Sequence, residues 1–384
     1  MNETLDPDWN PVFDAVLRDQ RAAYDEMRER CPVAYSEFLG WSVFRHRDVV
    51  RVLNDPATFS NAVSTHLSVP NGMDPPEHTA YRRIIEPYFQ PEKMTAFEPQ
   101  CRQIAASLAA SLLGRGDVEL ISEFAQLFAV RVQCAFLGWP PHMHETLKLW
   151  TQRNSAASLT QDRPVLVALA EEFTGHVLAL LHSRRAAGTP AQDDIVASLL
   201  EQQVNGRKLQ DDEIVSLLRN WTVGEVGTMA ASVGILVGFL CEHPDLQQRL
   251  RLEPLLLPEA IEEILRLHGP LVNNRRVTTC PVDIGGRRIG AGQRISLNWI
   301  AANRDGRAFD NVNACQLDRD QSANLLWGAG IHICPGAPLA RMEIRLAMEE
   351  LLGRTTRISL VPDQPPTWAV YPASGFATLP VALR

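Results

Sequence analysis

The chain has 384 residues, 45% of them apolar and 21% charged, and a net charge of −8 at neutral pH. This is an ordinary globular composition, long enough to enclose a deep pocket. The acidic balance and the lack of a long basic run exclude nucleic acid as an expected partner. The most apolar run, Met229 to Cys241, stops at Glu242 and is shorter than the roughly 20 residues a membrane span needs. The N-terminal MNETLDPDWN has no signal-peptide or anchor pattern. Seven cysteines, at 31, 101, 134, 241, 280, 315 and 334, are scattered and odd in number, without metal-type spacing. That pattern fits a reducing compartment, so a cytoplasmic protein without a membrane partner is expected.

In chain order, residues 10–31 are predicted helical, followed by short strands at Val33–Tyr35 and Trp41–Phe44 and a helix over 46–54. Residues 60–76, rich in polar residues, Pro and Gly, form a loop. Helices are expected over 77–90, 92–113, 118–137, 141–155 and 164–187. The Ala187-Gly188-Thr189-Pro190 stretch breaks the chain before a helix over 193–203. A long helix runs from Asp211 to Cys241 and ends at His243-Pro244, and another spans Leu257 to Leu267 up to Gly269-Pro270. Residues 276–297 alternate around Gly285-Gly286 and read as a hairpin. Such a chain is mainly α with a small β portion. No linker divides it, so 1–384 is expected to be a single domain.

Residues 327–345, Trp-Gly-Ala-Gly-Ile-His-Ile-Cys-Pro-Gly-Ala-Pro-Leu-Ala-Arg-Met-Glu-Ile-Arg, form a glycine-rich loop that presents Cys334 just before an amphipathic helix. Unpaired backbone N–H groups at a helix start favour an anion, and a thiolate held there is a nucleophile or metal ligand. Glu263 and Arg266 stand at i, i+3 on one helix face, a spacing that by itself reads as a surface ion pair. His78 and Arg82, at i, i+4, follow Met73-Asp74-Pro75-Pro76-Glu77. The long helix carries Val223-Gly224-Glu225-Val226-Gly227-Thr228, and two interior glycines three apart suit tight helix packing or the close approach of something flat.

The run aromatic-Gly-x-Gly-x-His-x-Cys-x-Gly-x-x-Leu-Ala-Arg closely resembles the haem-ligand loop of the cytochrome P450 family. The Glu263/Arg266 pair and the MDPPEH-x-x-x-R segment match further family motifs in the right order. The resemblance implies the P450 single-domain fold and haem b ligated by Cys334. Trp327 and Gly224 then lie against the cofactor, and Glu263, Arg266 and Arg319 form a structural triad locking the cysteine loop. By resemblance His78, Arg82, Arg276 and His332 serve the haem propionates, with Asn274 a further candidate. The implied pocket positions are Asn220, Val223 and Gly224, then Leu271, Val272 and Asn273, then Ser374, Gly375 and Phe376. Leu67, Val69 and residues 150–190 complete the lid.

The implied activity is insertion of one oxygen atom from dioxygen into a small or medium organic substrate: hydroxylation, epoxidation or oxidative dealkylation. Electrons come from a separate ferredoxin or flavodoxin type donor, with Arg83, Arg341 and Arg345 as docking candidates. The family pattern small-Gly-x-acid-Thr is matched by Gly224 and Thr228, but Gly227 occupies the acid's place and Glu225 that of the second small residue. Glu225 shares a helix face with Thr228, so these two are the expected catalytic residues, with Glu225 taking over the acid's task. The missing acid keeps a peroxide-driven peroxygenase in view, and a non-enzymatic haem-thiolate sensor or carrier is a further alternative. Trp327, where the family has Phe, could direct its indole N–H at the sulfur or stack on the porphyrin. Pro335 removes one N–H from the sulfur's surroundings.

Overall fold

The computed structural model describes residues 6–187 and 194–384; the chain break read at 188–190 lies outside them. The chain is 56% helical with 13% strand, so helices make the fold and strands fix its edges. The helix expected over 10–31 is two, Asp14–Arg18 and Gln20–Arg30, because Asp19 caps the second by accepting from Ala22 N at 3.0 Å. His46–Leu53 and Glu77–Ile85 follow as expected, then Pro91–Leu112 with proline at its first position. The segment 118–137 starts as a strand, Asp117–Glu119, and a π turn at Ile121–Ala125 before settling into Gln126–Leu137. Met143–Thr160 and Arg163–Ala187 come next. The expected helix at 193–203 is the shorter Ile195–Glu201, followed by a small hairpin, Gln203–Val204 with Arg207–Lys208.

Asp211–Glu242 is one unbroken helix, entered through a capping box in which Glu213 and Gln210 satisfy each other's backbone. His243-Pro244 ends it and also begins a helix the sequence reading missed, Pro244–Leu252, because proline is well tolerated in a first turn. Leu257–His268 and Ala337–Arg354 pack against the long helix, and the latter also lies along Pro91–Leu112.

The segment read as one hairpin is two nested ones. Val282–Ile284 and Arg287–Ile289 meet at Gly285-Gly286, both at positive φ. Asn273–Thr278 and Arg294–Asn298 pair outside them, with Arg276 opposite Ile295. These outer strands belong to a five-stranded sheet in the order 33–36, 40–43, 294–298, 273–278, 59–60; only 40–43 with 294–298 is parallel. One large buried apolar cluster extends from Val69 to Leu383, and two smaller ones lie about the five-stranded sheet.

The expectation about apolar runs needs correction. Arg163–Ala187 and Asp211–Glu242 are both long and apolar enough to cross a membrane. The second is a core helix, and 72% of its apolar window is buried inside the protein. The first, with 28% of its window buried, is bounded by Arg163 and by Arg184-Arg185.

Candidate functional site: a cysteine loop facing an open helix

The cysteine loop is fixed by backbone before any side chain acts. Cys334 N donates to Trp327 O at 2.8 Å, and Gly328 N to Leu325 O at 2.9 Å. Gly330, at φ +68°, packs so closely that a Cβ there would stand 2.4 Å from Leu53 O; only glycine fits. Arg82 Nη1 donates to Ile333 O at 2.9 Å and so holds the residue before the cysteine. The thiol is accessible to a water-sized probe yet deep enough that desolvation pushes its pKa up. The N–H of Gly336 opposes that rise, followed by the charge of Arg82 and the N–H of Ala337. Pro335 thus silences one donor while the next two amides take its place. A metal ion's own charge overrides the remaining desolvation, since a coordinating thiol ionises on binding.

Glu263 and Arg266 are not a surface pair. Both are fully buried, joined at 2.8 and 2.9 Å. Arg319 Nε adds a bond to Glu263 Oε1 at 2.8 Å, and Gln316 N and Gln321 Nε2 also donate to that carboxylate. These donors hold the Glu263 carboxyl below its ordinary value despite its burial. Arg266 Nη1 donates to Asn303 O at 2.7 Å, and Asn303 Oδ1 accepts from Leu325 N at 2.8 Å. The triad therefore reaches the cysteine loop through Asn303, three bonds in series.

Trp327 overturns one expectation. Its indole N–H is committed to the Glu262 carboxylate at 2.9 and 3.0 Å, and Arg341 both stacks on the ring and bonds Glu262 at 2.7 Å. No N–H remains for the sulfur. The sequence reading missed Glu262, although its place beside Glu263 puts it on the adjoining helix face.

Beside the loop lies a buried cluster of donors, near the Asp74 carboxylate and with Arg82 paired to Glu86 at 3.1 Å. His78 is 3% exposed, and neither ring nitrogen has a partner. Its ring lies 4.2 Å, centroid to centroid, from that of His332. His332 Nε2 meets Met73 O at 3.1 Å; burial first, then His78 and Arg276, pushes its pKa down to about 3. Arg276 is buried, bonds only the Arg275 carbonyl, and is pushed down to about 10 by desolvation. Orphaned buried donors are rare in folded proteins. These fit the two carboxylates of a haem, whose charge they would neutralise. Asn274, on the same strand face as Arg276, is exposed.

Across from the sulfur, the long helix leaves room. A Cβ built on Gly224 or Gly227 meets nothing within 4 Å, so tight packing does not explain these glycines. Val223 is 42% exposed. Thr228 Oγ1 donates to Gly224 O at 2.6 Å, which leaves its lone pairs as acceptors. The Glu225 carboxyl makes no bond to Thr228 and instead accepts from the Gln133 amide at 2.7 and 3.1 Å.

Several pocket candidates do other work. Asn220 Nδ2 donates to Val69 O at 2.9 Å and to Ser68 Oγ at 3.2 Å, tying down the 60–76 loop. Val69 itself is packed in the core rather than in a lid. Val272, just ahead of the strand Asn273–Thr278, is 1% exposed and packed with Tyr24, Phe44 and Tyr371. Asn273 accepts from Tyr371 Oη at 3.4 Å. Phe376 presses on Gly238, ten residues and thus about 15 Å along the helix from Thr228, and stacks on Trp368. It lines a different cavity, of about 380 Å³, with Arg21, His268 and Ser374.

A thiol able to ligate a metal, donors for two carboxylates, and room for a flat ring between two helices describe a haem-thiolate oxygenase. The chain belongs to the cytochrome P450 family, whose model matches residues 147–368. The cyclomarin C epoxidase CymV of Salinispora arenicola is 30% identical over 353 residues, covering 87% of this chain and 88% of the relative. The erythromycin C-12 hydroxylase of Saccharopolyspora erythraea is 32% identical over 366 residues, 90% of each chain. Among solved structures, a mutant of P450 EryK in complex with erythromycin B matches with a TM-score of 0.87 at 29% identity, covering 96% of this chain and 97% of that one. CYP109E1 from Bacillus megaterium in complex with testosterone matches at 0.85 and 26%, covering 98% and 100%. The protein is accordingly an oxidoreductase, a monooxygenase whose family carries cysteine-ligated haem iron.

Proposed function

We propose that the chain is a single domain that binds haem b through Cys334 and oxidises a bulky, largely apolar natural product by hydroxylation or epoxidation. The observation that carries this is the pairing of the Cys334 thiol with the buried cluster of Arg82, Arg276, His332 and His78, whose two ring nitrogens have no partner. Haem, when bound, supplies the redox chemistry that activates dioxygen. The overall balance is one dioxygen, two electrons, two protons and a C–H bond giving an alcohol and water; epoxidation consumes a C=C bond instead.

The protein's own residues set the conditions. Gly336 and Ala337 N–H groups stabilise the sulfur anion, and Arg82 serves both loop and propionate. Thr228, its proton engaged by Gly224 O, offers lone pairs to water in the pocket. Glu225 is the acid of the distal helix. For the substrate, Val223 and the open faces of Gly224 and Gly227 favour apolar bulk, as do relatives named for erythromycin and cyclomarin C. A ferredoxin or flavodoxin type donor would dock beside the cysteine loop. There Arg83 is exposed with no ion pair among the described residues, while Arg341 and Arg345 are paired with Glu262, Glu98 and Glu349. Scattered thiols, with no disulfide among the described residues, favour the cytoplasm.

The test is optical titration of the ferric protein with a macrolide, a cyclic peptide, a steroid and a small aromatic. A high-spin shift with the macrocycles at micromolar concentration is expected. A shift with the small aromatic alone would contradict the substrate class. The open space at Gly227 favours one second reading, a peroxide-driven peroxygenase; turnover with peroxide but none with dioxygen and a reductase would select it.

A further inference from the structure

Two carboxyl groups meet inside the protein with no cation to balance them. Glu225 comes from the long helix and Glu343 from the helix that follows Cys334, and each carboxyl acts on the other's protonation. Glu343 is fully buried, and neither of its oxygens has a hydrogen-bond partner. Gln133, on helix Gln126–Leu137, closes the cluster. With its amide oriented as the hydrogen-bond network requires, it donates to Glu225 Oε2 at 2.7 Å and Oε1 at 3.1 Å. The other ionisable groups facing the pair are thiols: Cys101 from Pro91–Leu112, Cys134 from the Gln133 helix, and Cys334. No cation from any packed element contributes to either carboxyl.

Two neighbouring carboxylates in such a place, with no cation to balance them, cannot both be ionised. At neutral pH both groups keep their protons, so Glu343 presents an O–H to the oxygens of Glu225. Desolvation pushes both groups up, Glu225 to about 8. Glu225, unlike Glu343, is only partly buried. Glu225 stands on the turn whose neighbours Gly224 and Gly227 face open volume, and its carbonyl accepts from Thr228 Oγ1 at 3.3 Å.

We infer that Glu225 and Glu343 form a proton-sharing pair that feeds the distal pocket in place of an acid at 227, with Glu225 the donor and Glu343 a positioning residue. In the transfer the Glu225 O–H bond breaks and a new O–H bond forms on a water above Gly224 and Gly227. The resulting carboxylate is held by the Glu343 O–H and the Gln133 N–H until a proton from pocket water restores it. No electron moves in this step. The inference rests on the haem-thiolate reading above.

The experiment compares the wild-type holoenzyme with Glu225→Gln, Glu343→Gln and Gln133→Leu. The first measurement is the infrared C=O stretch of a protonated, solvent-shielded carboxylic acid near neutral pH. The wild type is expected to show it and each Gln variant to alter it; a wild type without the band overturns the pair. The second is the ratio of dioxygen-driven to peroxide-driven turnover of an alkoxycoumarin probe, since peroxide brings its own protons. Glu225→Gln is expected to lower that ratio about a hundred-fold, the lower end for loss of a general acid. Glu343→Gln should lower it less and move its pH profile, because an amide still holds Glu225 without sharing its proton. An unchanged ratio and pH profile in both variants overturns the inference. The carbon monoxide band of the same variants separates the two levels: if the thiolate band is intact, only the proton pair has failed.

Discussion

The Cys334 side of the site and the Thr228 side contrast sharply. The cysteine loop is held by its own backbone, by Arg82, by Glu262 through Trp327, and by a buried Glu263–Arg266–Arg319 network acting through Asn303. The facing turn of the long helix presents two glycines to open space and a threonine bonded only to its own helix. A group whose electronic properties depend on a sulfur's surroundings needs them constant, and close packing supplies that. A pocket that admits substrate needs unfilled volume and pays for it in fewer contacts.

The largest break in this contrast should come from Glu263→Ala. It strands Arg266, a fully buried cation, and should cost about 3–5 kcal/mol, as removal of one partner of a buried pair does. Chemical denaturation and haem retention check this, and a loss below about 1 kcal/mol would show the network to be dispensable.

Glycine substitutions sharpen the comparison on both sides. Gly330→Ala forces a Cβ against Leu53 O at positive φ and should cost about 1–3 kcal/mol. Gly227→Ala meets nothing and should stabilise the helix by about 0.5–1 kcal/mol. Equal effects on the melting temperature would erase the distinction between packed and open faces.

Stability should also depend on pH with a definite sign. Glu225, raised from 4.5 to about 8 in the folded state, binds its proton more tightly there than when unfolded. Its contribution is therefore lost as pH rises from about 4.5 through 8, and Glu225→Gln should flatten that slope. His332, lowered to about 3, works in the opposite direction: stability falls as pH drops below its ordinary 6.5. Denaturation midpoints across this range, for wild type and Glu225→Gln, measure both slopes. The smallest effect is expected from Trp327→Phe, which removes one bond to Glu262, part-exposed, and should cost about 1 kcal/mol.

How much of this was legible in sequence depends on distance along the chain. The cysteine loop is a local motif, legible in residue types at fixed spacing. The triad and the propionate donors, spread over 263–319 and 78–332, were implied only by the family resemblance, since the Glu263/Arg266 spacing by itself reads as a surface pair. Most helices followed from periodicity and caps, while Pro244 was misread because a helix-ending proline and a helix-starting one look alike. What escaped were contacts between elements far apart in sequence. Nothing in the neighbours of Asn220 points to Val69, and nothing near Val272 reveals that it packs in a cluster with Tyr24. The direction of Glu225 likewise depended on Gln133 and Glu343, about a hundred residues away on either side.

The most direct test of the account is the Soret band of the reduced, carbon monoxide-treated protein beside that of Cys334→Ala. The wild type is expected to bind haem and show the red-shifted band of a thiolate ligand, and the variant to lack it. A wild type that purifies without haem, or a variant that keeps the shifted band, would contradict it.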